Sequence, residues 1–146
     1  MSIKSFNPKA AEAINWIAQA GTYPVTVRGF EAKYTKNADY FVKVTFVTAD
    51  NSATTGIIYA KADKNGNHIG LESFMAATAT DAEVAEYCNS GEITVDEAFL
   101  EKVANRAKGR ALQVRVTGRE YEKDGVKKMA YEASSFLRNP NGPGPF

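Results

Sequence analysis

The sequence predicts a mainly β chain with a helical insertion, its strands closing into a small five-stranded barrel. Three observations predict it. Residues 22–63 alternate apolar and polar side chains in three runs. Residues 71–107 switch to helical spacing and turn acidic. Residues 110–137 alternate again, around Asp124-Gly125, and an Asp-Gly pair between two extended runs is the strongest short-range hairpin signal.

The elements follow in order. Residues 7–21, "NPKAAEAINWIAQAG", predict an N-terminal helix, with Asn7 as its cap, Pro8 in its first turn and Gly21 at its end. Ala10, Ala13, Ile14 and Ile17 share one face, and Trp16 falls off it, where it is expected to pack against the sheet. The first strand places Tyr23, Val25 and Val27 on one face. Gly29 breaks that phase, as a bulge or sharp bend does, and the strand resumes through Phe30, Ala32 and Tyr34. Val42, Val44 and Phe46 mark the core face of the second strand, and Ile58 and Ala60 that of the third. Two helical runs follow, 71–88 and 95–109, the second with Thr94 and Glu97 spaced as a capping box. Leu112, Val114 and Val116 mark the core face of the fourth strand, which the hairpin joins to the fifth at 126–137. Short strands, a bent first strand and a helix between the third and fourth match a five-stranded barrel of the OB type. Another small β-barrel or an α+β sandwich is the alternative. The chain reads as one domain over 1–138, and the Pro/Gly-rich tail 139–146 is expected to be flexible.

Composition narrows the function. With 146 residues, 44% hydrophobic and 24% charged, the chain can bury a substantial core. A lone Cys88 excludes an intrachain disulfide and suits a reducing, cytoplasmic setting. No run reaches the roughly 18 apolar residues of a membrane span, so no membrane partner is expected. His68, the only histidine, sits in a Gly/Asn-rich loop as a solvated turn residue, and Cys88 reads as a small buried side chain. No P-loop, G-x-S-x-G or H-E-x-x-H pattern is present, so the chain is expected to be neither an enzyme nor a carrier of a metal or cofactor.

Net charge is only +1, but it is unevenly placed. Residues 71–104 hold eight acids against Lys102 alone, and the remainder holds seventeen cations against nine acids. Either the acidic block is a solvated helical excursion, or it faces away from an anionic ligand that the basic remainder faces.

Strand phase says where the basic residues point. A two-residue turn at Asp124-Gly125 pairs Tyr121 with Lys128, and Arg115, Arg119 and Tyr121 share the face opposite Leu112, Val114 and Val116. The same mixture recurs: Arg28, Lys33 and Tyr34 on the first strand, Phe41 and Lys43 on the second, Tyr59 and Lys61 on the third. Phe41, away from the Val42/Val44 stripe, either offers a stacking surface or packs beneath the N-terminal helix. Single-stranded nucleic acid needs this mixture, cations for phosphates and ring faces for bases. Phosphates are therefore expected near Arg28, Lys33, Lys43, Lys61, Arg115, Arg119 and Lys128, and bases on Tyr34, Phe41, Tyr59 and Tyr121. The alternative is a small β-barrel protein-interaction module, with an apolar patch and scattered cations.

Two stretches carry a resemblance: "AGTYPVTVRGFEAKYTKNADYFVKVTFVTAD" and "KGRALQVRVTGREYEKDGVKKMAY". Together, over about half of the chain, they resemble the small phage-encoded OB-fold single-stranded-DNA-binding proteins. The resemblance implies a metal-free protein that coats and protects single strands in phage DNA replication or recombination, in the host cytoplasm. It also implies pairing or cooperative assembly on DNA, and contact with replication or recombination proteins. Pro145-Phe146 resembles the partner-docking tip of many such proteins, but no acid follows Glu132, so the acidic part of that tail is missing.

Overall fold

Backbone alternation is realised as a curled sheet in the computed structural model, which describes residues 15–140 and 142. The strands are β1 (Asn15–Trp16), β2 (Gly21–Tyr34), β3 (Tyr40–Val47), β4 (Ser52–Tyr59), β5 (Ala111–Lys123) and β6 (Val126–Leu137), in the order β1-β4-β3-β2-β5-β6. Three helices, α1 (Ile69–Thr78), α2 (Asp81–Asn89) and α3 (Glu97–Ala107), lie between β4 and β5.

The long β2 organises the sheet. Its first half pairs antiparallel with β5 and its second half with β3, and Thr26 pairs with both. The register slips between Val27 and Gly29, making Arg28 an extra residue. The core-facing phase therefore shifts from the odd residues, Val25 and Val27, to the even ones, with Phe30 opposite Val44 partly buried against the core and Ala32 opposite Val42 exposed. A bulge bends and twists its strand, and this one lets β2 serve two neighbours. A second slip, between Arg115 and Val116, bends β5–β6.

The curl brings β6 over β4 without pairing them. Phe136 lies 5.6 Å from Phe46, and Phe74 of α1 lies 6.3 Å from Phe46 and 5.4 Å from Phe136. These three rings fill the interior, where Phe46 and Phe74 are fully buried. Gly56 makes the approach feasible, since a Cβ there would sit 3.1 Å from Phe136 and 3.2 Å from Phe46. Both rings are held by packing, so Gly56→Ala is expected to destabilise the protein by about 1–3 kcal/mol in a urea unfolding titration. An unchanged midpoint would mean that β4 and β6 have slack between them.

Mainly β, a curled half-barrel with helices between its third and fourth long strands, this architecture is compatible with an OB-like fold. Several expectations need correction. Among the described residues, six strands form the sheet rather than five. Residues 15–16, expected in a helix, pair parallel with Ser52–Ala53, and Ile17 N–H donates to the Ala53 carbonyl at 2.8 Å. The open edge of β4 satisfies backbone groups there, which overrides the helical pattern. Asn7, Pro8, Ala10, Ala13 and Ile14 lie outside the described residues.

The helical segment divides at Thr80 as well as after Asn89. The capping box forms at Thr80, not Thr94: Glu83 N–H donates to Thr80 Oγ1 at 3.2 Å, and Thr80 N–H donates to Glu83 Oε1 at 3.0 Å. At α3 the cap is Asp96, which accepts from Phe99 N–H at 2.9 Å and also sets a carboxylate at the positive end of the helix. Cys88 is exposed on α2, which buries no residue, so the expected burial is wrong. His68 is half-buried at the start of α1 instead of lying free in the loop. Among the described residues, no helix is long and apolar enough to cross a membrane.

The acidic block is docked by ion pairs. Glu83 accepts from Arg110 and lies 3.6 Å from Arg106, and the Arg110 hydrogen bond holds its carboxyl below the ordinary range. Arg106 also donates to Glu86 at 2.7 Å, and Arg138 meets Asp81 at 3.3 Å.

Candidate nucleic-acid interface

Pairing places side chains of neighbouring strands side by side on one face. On β2, β3 and β4 the face away from the core carries three rows. The first row is Lys33, Phe41 and Tyr59; the second is Glu31, Lys43 and Ile57; the third is Gly29, Thr45 and Thr55. Phe41 and Tyr59 lie 5.7 Å apart with their planes tilted by 46°, and Tyr59 is 49% exposed. Phe41 is thus half-buried beside Tyr59, at the edge of an open face. Lys33 meets Glu31 at 3.6 Å, and Lys61, just past β4, meets Asp39 at 3.8 Å.

Trp16 completes this face. Its register partner Ala53 shares the phase of Thr55, Ile57 and Tyr59, so the indole falls on the same side as Lys43, and it is 58% exposed. Trp16, Arg28, Gly29, Glu31 and Lys43 border one open hollow of about 470 Å³. Sequence periodicity missed this residue because it assigned Trp16 to a helix. The one available signal was its position off the apolar stripe.

Helices occupy the other side of the sheet. Leu100 and Val103 of α3 are buried with Val42 and Val44, and Tyr40 Oη donates to Glu101 at 3.1 Å. Burial and that carboxylate push the Tyr40 phenol up to about 12. Tyr34, opposite Tyr40 in the register, lies on this helix side. Its hydroxyl donates to Glu97 at 2.6 Å, and that bond raises its pKa. The structure therefore separates Tyr34 from Phe41 and Tyr59. It also separates Glu97 and Glu101 from Lys43 by the thickness of the sheet, so these acids face away from the basic rows.

Arg115, Arg119, Tyr121 and Lys128 form a second group. Tyr121 pairs with Lys128 and Arg119 with Ala130, as the Asp-Gly turn requires, and Asp124 and Gly125 both take positive φ. β5 pairs with β2 only through residue 116, so residues 117–123 and 126–132 form a two-stranded arm beyond the sheet. Arg115 sits at the base of this arm, opposite Thr22, eleven residues before Lys33 on β2 and about 36 Å away along the strand. The two groups are thus set apart along β2. Pro145 and Phe146 lie outside the described residues.

No protein-family model matches this chain, and no curated protein matches it. Among solved structures, a chain of yeast RPA bound to ssDNA aligns over 93% of this chain and 88% of its own, at 7% sequence identity and a TM-score of 0.40.

Proposed function

We propose that this chain is a non-catalytic binder of single-stranded DNA, without sequence readout, using the outer face of β2, β3 and β4. One observation carries the proposal: a row of Lys33, Phe41 and Tyr59 runs across three strands, with Lys43 in the next row and Glu97 and Glu101 of α3 behind the sheet. Exposed rings can stack unpaired bases of any sequence, and lysines between them can follow the phosphates. The arm with Arg119, Tyr121 and Lys128 extends the same chemistry. Lys61 sits at the rim, beside Asp39. The sequence resemblance supports the OB-type family and the finer setting: coating and protection of single strands during phage replication or recombination.

Fluorescence anisotropy of a labelled oligo-thymidine of about thirty nucleotides tests this, with a duplex of equal length alongside. Binding is expected to be tighter to the single strand. It should weaken with salt, with a slope of log K against log salt near −2 if about three phosphates are neutralised. Absence of binding at low salt would refute the proposal and turn attention to a protein partner.

A further inference from the structure

We propose that the hollow between Trp16 and Gly29 is a subsite for one unpaired nucleobase, with the Trp16 indole as its stacking wall. This rests on the single-strand function above and adds a position outside the Phe41–Tyr59 row. At about 470 Å³ the hollow falls within the range of small-ligand sites, about 300–1,000 Å³. Its opening follows from the bulge in β2. The register slip turns Arg28 out of the regular ladder and leaves Gly29 opposite Thr45, where a Cβ would meet nothing within 4 Å. The missing side chain is therefore the open part of the site.

The lining supplies groups that suit a base, within a border that also carries Arg28 and Lys43. Trp16 supplies a ring face. Thr45 and Thr55 supply hydroxyls, which both donate and accept. Glu31 supplies a carboxylate, which repels phosphate and accepts from base N–H groups. Lys43 stands in the same hollow, placed to meet the strand's backbone at the rim. Thr45 lies four residues from Phe41 on β3, about 13 Å along the strand, so one DNA strand can reach both aromatic positions. In a duplex, stacking and pairing occupy a base's faces and edge, so the hollow also favours single strands.

Trp16 is the only tryptophan of the chain, so its emission reports this subsite alone. The oligo-thymidine titration is followed by anisotropy of the labelled DNA and by tryptophan emission together. Emission should fall in step with anisotropy. Gly29→Leu fills the hollow at a position without positive φ, and should bind roughly ten-fold more weakly and lose the emission change. Trp16→Leu should weaken binding to a similar degree with an unchanged circular dichroism spectrum. If anisotropy reports binding while emission stays constant and Gly29→Leu binds like the parent protein, the subsite is wrong and the single-strand function stands. If anisotropy reports no binding by the parent protein at low salt, both fail.

Discussion

Phe74→Ala is expected to lower the unfolding free energy by about 3–5 kcal/mol, the range for removing a fully buried phenylalanine. Phe74 is 0% exposed and meets Phe136 edge-on at 5.4 Å and Phe46 at 6.3 Å. It comes from α1, whereas its two partners come from strands that approach without sharing hydrogen bonds. The side chain therefore fills the gap where the half-barrel would otherwise be open. Its loss leaves a cavity that β3 and β6 close poorly, because each is tied to its own neighbours in the sheet. Urea unfolding monitored by circular dichroism measures the effect. A loss below about 1 kcal/mol would show that α1 covers the sheet without plugging it.

Phe41→Ala combined with Tyr59→Ala is expected to reduce affinity for oligo-thymidine roughly 30- to 1,000-fold, that is, by about 2–4 kcal/mol. Each stacked base is worth about 1–3 kcal/mol by alanine substitution. The rings touch one another, so the two losses should not add fully. Neither substitution removes a charge, so the salt slope should remain that of the parent protein. Lys43→Ala should do the reverse, with a modest affinity loss and a slope smaller by about 0.7. This contrast separates stacking from phosphate contact in one set of titrations. If the double variant retains full affinity in a folded protein, the rings are not stacking surfaces. Arg119→Ala with Tyr121→Ala, on the β5–β6 arm, then asks whether the second group binds instead.

The Trp16 subsite and the Phe41–Tyr59 row differ in how legible they were. Phe41, Lys43 and Tyr59 could be placed on the faces away from the core from alternation alone, because β3 and β4 are regular and side chains in a strand repeat every two residues. The pairing of Tyr121 with Lys128 was equally legible, since a two-residue turn sets its own register. Tyr34 was not. The bulge moved the even residues of β2 to the helix side, and only the paired register with Tyr40 shows that Tyr34 faces Glu97.

Local sequence alone therefore determined the strand phases, the bend at Gly29, the Asp-Gly hairpin and the acidic character of the helical insertion. These depend on side-chain periodicity and turn chemistry within a few residues. Tertiary structure decided the rest. It set Trp16 on the edge of β4, because an unpaired strand edge offers backbone hydrogen bonds that a short helical pattern cannot outweigh. It chose Thr80 and Asp96 as helix caps over Thr94. It also placed the acids of α3 behind the sheet, because Leu100 and Val103 had to be buried against Val42 and Val44, which turned the opposite face of β3 outward with Phe41 and Lys43.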